Sequence, residues 1–402
     1  MTLCRSPATP EYTFLFHCCR VDGKSGSEGL TNQSLGYLDW ASVLAGARFH
    51  GILPLVYLHL SQSGAAPVPA HIFSAICDAW RAGAARNMHL SAELIRIIDA
   101  LQADGIRAVP FKGPTLAALA YGKLSLRESW DLDIFVEQNR VWDARDTLAR
   151  CGYRASLPAD TRDESLLRTG KDITLVHSKT GVTVELHWAF TSPAFGCHFD
   201  SQVVWRRVGV VDFAGRSIAA FHMEDLALIL AIHGARHCWD QLKWIADLGA
   251  LSAAHTEIDW PRVLAQAEAI GCRRILFVAL LLVHDVLSAP IPETVLARAR
   301  RDGTATALAG DAARLISENR TLSMSEEYVF QLRIREKARD RLSVFLAFIR
   351  GRLQPASCYA GPRWLHPFFW LRQAFIRLLH LTRTYGFSPL KSVLKAFAGT
   401  RP

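Results

Sequence analysis

The chain has 402 residues, half of them hydrophobic and 21% charged, with a formal net charge of +9. A disordered chain would be poorer in apolar residues, so this one is globular and long enough for two or three domains. Its longest apolar run, Ile275 to Val283, ends at His284 and Asp285, about half of what a membrane span needs.

The nine cysteines are scattered, odd in number and form no C-x-x-C pair, which argues against a disulfide framework and a structural zinc site. The first twenty-odd residues show no apolar stretch followed by a small-residue cleavage site. A cytoplasmic location is the expectation. The charge is uneven: residues 331–402 hold 14 Lys and Arg against 2 Asp and Glu.

In chain order, Tyr37 to Leu60 is apolar with few breakers, Gly64 to Pro69 reads as a linker, and Ala84 to Ala103 places Leu90, Leu94, Ile97, Ile98 and Leu101 at helical spacing. Gly105 is a C-cap candidate. Ile106 to Phe111 reads as a strand, Lys112-Gly113-Pro114 as a turn, and Thr115 to Tyr121 as a helix. Trp130 to Val136 alternates apolar and acidic residues, Arg140 to Cys151 is amphipathic, and Tyr153 to Leu157 is a further strand candidate. Asp172 to His177 and Val182 to Trp188 flank a hairpin connection ending in Gly181. Helical patterns then run over Met223 to Leu251, Trp260 to Ile270, Arg273 to Leu287 and Pro292 to Arg300. The expected organisation is a helical region over 1–105, a small mixed α/β core over 106–215, a helical domain over 216–330 and a basic, aromatic, helical tail over 331–402.

Asp131-Leu132-Asp133 is the strongest chemical signal. Residues two apart in a strand face the same side, with Cα atoms about 6.6 Å apart. The two carboxylates repel unless a cation neutralises them, and paired Asp oxygens suit Mg²⁺. Alternating Asp on an exposed edge strand is common, so the pair needs company. Lys112-Gly113, between a strand and a helix, lets a phosphate approach the backbone and adds a point charge, although an ordinary turn has the same form. Glu185 lies mid-strand between Val184 and Leu186, as a third carboxylate or as a solvent-facing residue. Arg127 is a phosphate fork or an ion-pair partner.

Phe111-Lys112-Gly113, Tyr121, Arg127, Asp131 to Val136 and Gly152-Tyr153 together resemble the uncharacterised nucleotidyltransferase family, within the polymerase β-like nucleotidyltransferase superfamily. Pro114 after Gly113 departs from the wider superfamily, which carries a small residue there. The resemblance implies an α+β fold: a small mixed-sheet nucleotidyltransferase core flanked by mostly helical N- and C-terminal regions. It also implies two-metal transfer of a nucleotidyl group from an NTP, with Asp131, Asp133 and Glu185 as catalytic carboxylates around two Mg²⁺ ions. Lys112, Gly113 and Arg127 would bind the nucleotide and steady the departing pyrophosphate. The acceptor would be a small molecule, a lipid-linked compound, a peptide or a protein. His187, His233, Lys243 and Asp247 are candidate substrate contacts, the last three from a segment similar to the family's histidine-rich helix.

Read without the resemblance, these residues are blander. His233 and His237 are four apart, but no Glu follows the first as zinc proteases require. Lys243 and Asp247 are also four apart, the spacing of a surface ion pair. In the tail, Trp364, Phe368, Phe369, Trp370 and Phe375 interleave with Arg363, Arg372, Arg377 and Arg383. They suit a helix packed on the body, an anionic membrane surface or an acidic partner. Peripheral membrane association and a membrane-surface scaffold follow from the second option. No zinc finger or RNP motif points to nucleic acid. The competing reading of the core is a noncatalytic nucleotide-binding or interaction protein that keeps the fold.

Overall fold

A helix of 34 residues forms because Ile76, Leu90, Leu94, Ile97 and Leu101 share one buried stripe along it. The computed structural model, which describes residues 9–21, 35–63, 67–155, 162–197 and 199–351, begins with α1 (Pro10–Cys18), α2 (Trp40–Phe49), α3 (Leu53–Ser63) and this long α4 (Ala70–Ala103). The tail residues from Arg363 to Arg383 lie outside the described part.

The sheet follows. Its elements are β1 (Ala108–Pro110), α5 (Gly113–Tyr121), β2 (Asp131–Val136), α6 (Val141–Arg150), β3 (Tyr153–Ala155), α7 (Glu164–Thr169), β4 (Asp172–His177) and β5 (Thr183–His187). The strand order is β1-β2-β5-β4-β3. β2 and β5 run parallel, and the other neighbours are antiparallel. The fold is therefore α+β with a mixed sheet, as the sequence pattern led one to expect.

The two-residue period of the strands divides the sheet's faces. Leu132, Ile134, Val136, Val184 and Leu186 point to one side, where they pack with Leu94, Ile97 and Leu101 of α4 and with Val141, Trp142 and Leu148 of α6. Phe111 and Phe135 point to the other side, into an aromatic group with Phe190 and Phe221.

After α8 (Ser201–Arg206), β6 (Gly209–Phe213) and β7 (Arg216–Ala220) form a separate two-stranded hairpin. The sequence reading missed it, and the boundary expected at 215 falls in its turn. Helices α9 (Met223–Arg236), α10 (Leu242–Ala254), α11 (Trp260–Ile270), α12 (Arg273–Leu287), α13 (Glu293–Arg301), α14 (Gly303–Ser317), α15 (Met324–Arg333) and α16 (Ala338–Gly351) complete the described chain. One hydrophobic cluster joins Phe14, Val43, Val56 and Ile76 to Phe111 and Phe135, and these to Ile232, Ile245, Leu280 and Leu308. The N-terminal helices and the helices after residue 216 thus share a core across the sheet.

The single helix expected over Met223 to Leu251 is two helices. Cys238 and Trp239 adopt positive φ, and the Trp239 N–H returns to the Gly234 carbonyl at 2.9 Å. The indole folds back against Gly234 so closely that a Cβ there would stand 2.3 Å from Trp239 Nε1. Burying that ring breaks the helix, and no helix-breaking proline announces it. No helix among the described residues is long and apolar enough to cross a membrane.

Candidate active site

The parallel register sets Asp133 of β2 beside Glu185 of β5, and Asp131 beside Thr183. Asp131 and Asp133 share a face by strand period, as do Glu185 and His187, and this face is opposite the Leu132 and Val184 core. The Lys112-Gly113 turn is carried over the sheet's end by the Phe111 N–H, which donates to the Asp133 carbonyl at 3.2 Å.

Lys112 Nζ donates to Asp133 Oδ1 at 2.7 Å. His187 Nε2 lies 3.0 Å from the same oxygen and 3.2 Å from Glu185 Oε2. Burial opposes ionisation of Asp133, yet the Lys112 charge and the hydrogen bond with His187 outweigh it and hold the carboxyl well below the usual carboxylate range. Asp131 shifts the other way: burial raises its pKa, and the charges of Asp133 and Glu185 raise it further. The hydrogen bond with His187 lowers the Glu185 pKa.

Around this centre stands a belt of basic side chains. Lys171 contacts Asp172 at the start of β4, and burial together with the Arg236 charge lowers its pKa to about 8. Arg236 feels the charges of Glu185 and Asp133 from the end of α9. His233 is buried, which lowers its pKa, as do Lys112 and His237. His237 is pushed down to about 4 by burial and by Arg236, and it stacks on Trp244 at 4.7 Å. Lys243 lies over the other component of that pair, its Nζ 4.3 Å from the Trp244 ring centre.

Arg127 and Asp247 are brought to each other. Arg127 Nε and Nη2 donate to the Asp247 carboxylate at 2.9 and 3.0 Å, and Tyr121 donates its hydroxyl to Asp247 at 3.0 Å. Arg127 Nη1 also reaches the Gly113 carbonyl at 3.4 Å. Of the two roles open to Arg127, the ion pair is the one observed. The blander alternative for Lys243 and Asp247, a surface ion pair, is not what forms: Asp247 is 3% exposed, and its ion pair is with Arg127.

The structure therefore gathers Lys112, Asp133, Glu185 and His187 in direct contact. Asp131 feels the charges of Asp133 and Glu185, and His233 and His237 feel that of Lys112, while Asp247 braces Arg127. The sequence reading missed Lys171, Asp172 and Arg236. Arg236 sits three residues after His233, one helical turn on, and that spacing was its only signal.

Comparison with known proteins gives the chain a family. A family model described as uncharacterised nucleotidyltransferase matches residues 37–288. No curated protein matches the chain. Among solved structures, the solution structure of the antibiotic-resistance factor ANT(2'')-Ia is similar at 12% identity and a TM-score of 0.31, over 46% of this chain and 91% of that one. The crystal structure of ANT(2'')-Ia in complex with adenylyl-2''-tobramycin is similar at 13% identity and a TM-score of 0.31, over 45% and 97%. A superposition that loose carries no argument about substrate. The family match is different in kind, since it spans the long helix, the sheet with its acidic strand pair and the helices behind them: the chain belongs to the uncharacterised nucleotidyltransferase family.

Proposed function

We propose that the chain transfers a nucleotidyl group from an NTP to an acceptor hydroxyl at the Asp131, Asp133 and Glu185 face of the sheet. The observation that carries this reading is the register of β2 on β5, which sets Asp133 against Glu185 with Lys112 2.7 Å from Asp133.

The donor chemistry fits a divalent cation. Asp133, Glu185 and His187 each bring a ligand atom within 4.8 Å of the others. Asp131 adds a further carboxylate whose ionisation the neighbouring acids oppose, a charge surplus that a cation relieves. Asp131, Asp133 and Glu185 would hold Mg²⁺, with two ions expected. A bound ion neutralises triphosphate charge and lowers the pKa of the acceptor hydroxyl.

The remaining work belongs to the chain itself. Lys112 and the N-terminus of α5 offer positive charge to the phosphates. Arg127, fixed by Asp247, braces the Gly113 turn from below. In this reading Glu185 takes the proton of the acceptor hydroxyl as the acceptor oxygen attacks the α-phosphorus and pyrophosphate leaves. Arg236 and Lys171 add charge that stabilises the departing group.

The test incubates purified protein with α-labelled ATP, GTP, CTP or UTP, Mg²⁺ and cell extract, beside Asp133→Ala. Label moved by the wild type and not by the variant supports the reading. Failure of the wild type to move label from any of the four NTPs counts against it.

A further inference from the structure

We propose that His187 is itself a ligand of the cation site, so that the site offers an imidazole nitrogen beside its carboxylates and prefers Mn²⁺ to Mg²⁺. The inference rests on the reading that this face binds a divalent cation, and it adds the identity of the donors and of the ion.

Among the described residues, Asp133, Glu185 and His187 each bring a ligand atom within 4.8 Å of the others, and Asp131 stands outside that group. The strand geometry explains this. Asp131 stands two residues back along β2, opposite Thr183, whereas Asp133 is directly opposite Glu185 and one strand period from His187. The His187 side chain is 3% exposed, and its Nε2 lies 3.0 Å from Asp133 Oδ1 and 3.2 Å from Glu185 Oε2.

The ring is held for that role. Phe111 meets it edge-on with ring centres 5.2 Å apart. Its far nitrogen, Nδ1, is buried without a hydrogen-bond partner and faces Asp172 Oδ2 at 3.6 Å. Lys171 holds that carboxylate in turn. Proteins orient a histidine ligand toward its metal by a hydrogen bond from the distal nitrogen to a carboxylate, and a shift of a few tenths of an ångström would close this contact to one. Lys112 donates to the same Asp133 Oδ1 that His187 approaches, and the carboxylate's four lone pairs can receive a donor and a cation together.

The donor set then decides between ions. Mg²⁺ is hard, takes oxygen ligands and keeps its water. Imidazole suits the first-row transition ions, and Mn²⁺ among them shares the carboxylate and phosphate chemistry of Mg²⁺.

The experiment uses the full chain with Mn²⁺ alone, followed by EPR titration and electron spin echo envelope modulation, beside calorimetric titration with Mg²⁺. The expected result is Mn²⁺ binding at least tenfold tighter than Mg²⁺, with ¹⁴N modulation from a directly bonded imidazole. His187→Gln should abolish the modulation and weaken Mn²⁺ at least tenfold, with melting curves confirming that it folds. Should that variant not fold, His187→Asn replaces it, and the wild-type spectrum decides on its own. Bound Mn²⁺ without ¹⁴N modulation overturns the His187 assignment and leaves a carboxylate site standing. Modulation with equal affinity for the two ions overturns the preference. Binding of neither ion overturns the cation reading under Proposed function, and this inference with it.

Discussion

The Arg127 guanidinium forks onto the Asp247 carboxylate, which ties the loop before β2 to α10 across 120 residues of sequence. Asp247 is buried and Arg127 mostly so, and Tyr121 completes the carboxylate's shell. Removing one partner strands the other charge in the interior, a loss of about 3–5 kcal/mol. Asp247→Ala should be destabilised by that order in urea, and Arg127→Met combined with Asp247→Leu should recover most of it. A loss below about 1 kcal/mol for Asp247→Ala would show that solvent reaches the pair. Because Arg127 also holds the Gly113 carbonyl, nucleotidyl transfer should fall in the single variant beyond what its unfolded fraction explains.

Asp131 is expected to trade stability for function. Burial, Asp133 and Glu185 all raise its pKa, so the fold opposes its ionised form. The penalty is present above the folded pKa and is relieved as pH falls through it. At neutral pH and without metal, Asp131→Asn should therefore gain stability, on the order of 1 kcal/mol. Transfer should drop by about a hundredfold or more. Chemical denaturation in chelator reads the first effect and the labelling assay the second. A destabilised Asn variant would contradict the charge argument.

Gly113 turns the chain from β1 into α5 with φ of +56°, and a Cβ there would stand 2.9 Å from the Asp131 carbonyl oxygen. That neighbour is backbone of a central strand and has little room to yield. Gly113→Ala should cost about 1–3 kcal/mol and displace the acidic strand from Lys112. Thermal melting and the transfer assay should fall together. Wild-type values in both would mean that the turn absorbs the methyl group.

His50 gives the fold an acid sensitivity remote from the chemistry. It is fully buried, and its Nδ1 accepts the Leu242 N–H at 3.2 Å, a bond that only an unprotonated nitrogen can accept. Burial lowers its pKa from 6.5 to about 4, against an opposing bond to the Ile316 backbone. Between these values the unfolded chain binds the proton and the folded chain does not, so stability rises with pH there. The penalty is absent above about 6.5 and grows to about 3 kcal/mol as pH falls to 4. His50→Asn should flatten the slope of unfolding free energy over pH 4–6.5 relative to the wild type. Parallel slopes would remove His50 from the account.

Most of the local structure was legible because it depends on neighbours in sequence. The alternation Asp131-Leu132-Asp133-Ile134 sets one face for acids and another for core, and Trp260 to Ile270 and Arg273 to Leu287 form the helices their spacing announces. The helix break at Cys238 and Trp239 was not legible, since it follows from burying an indole against Gly234. Neither was the β6–β7 hairpin, whose strands are short and largely exposed.

The sequence by itself determined that Asp131 and Asp133 share a face and that Lys112-Gly113 stands at a strand end, because a strand's period and a turn's dihedrals are local properties. Only the tertiary structure decided that Asp133 meets Glu185 and His187 while Arg127 turns to Asp247. Those pairings join positions 52 to 120 residues apart, and the first is selected by the burial of Leu132, Ile134, Val184 and Leu186 beneath α4 and α6, which fixes one strand register against all others.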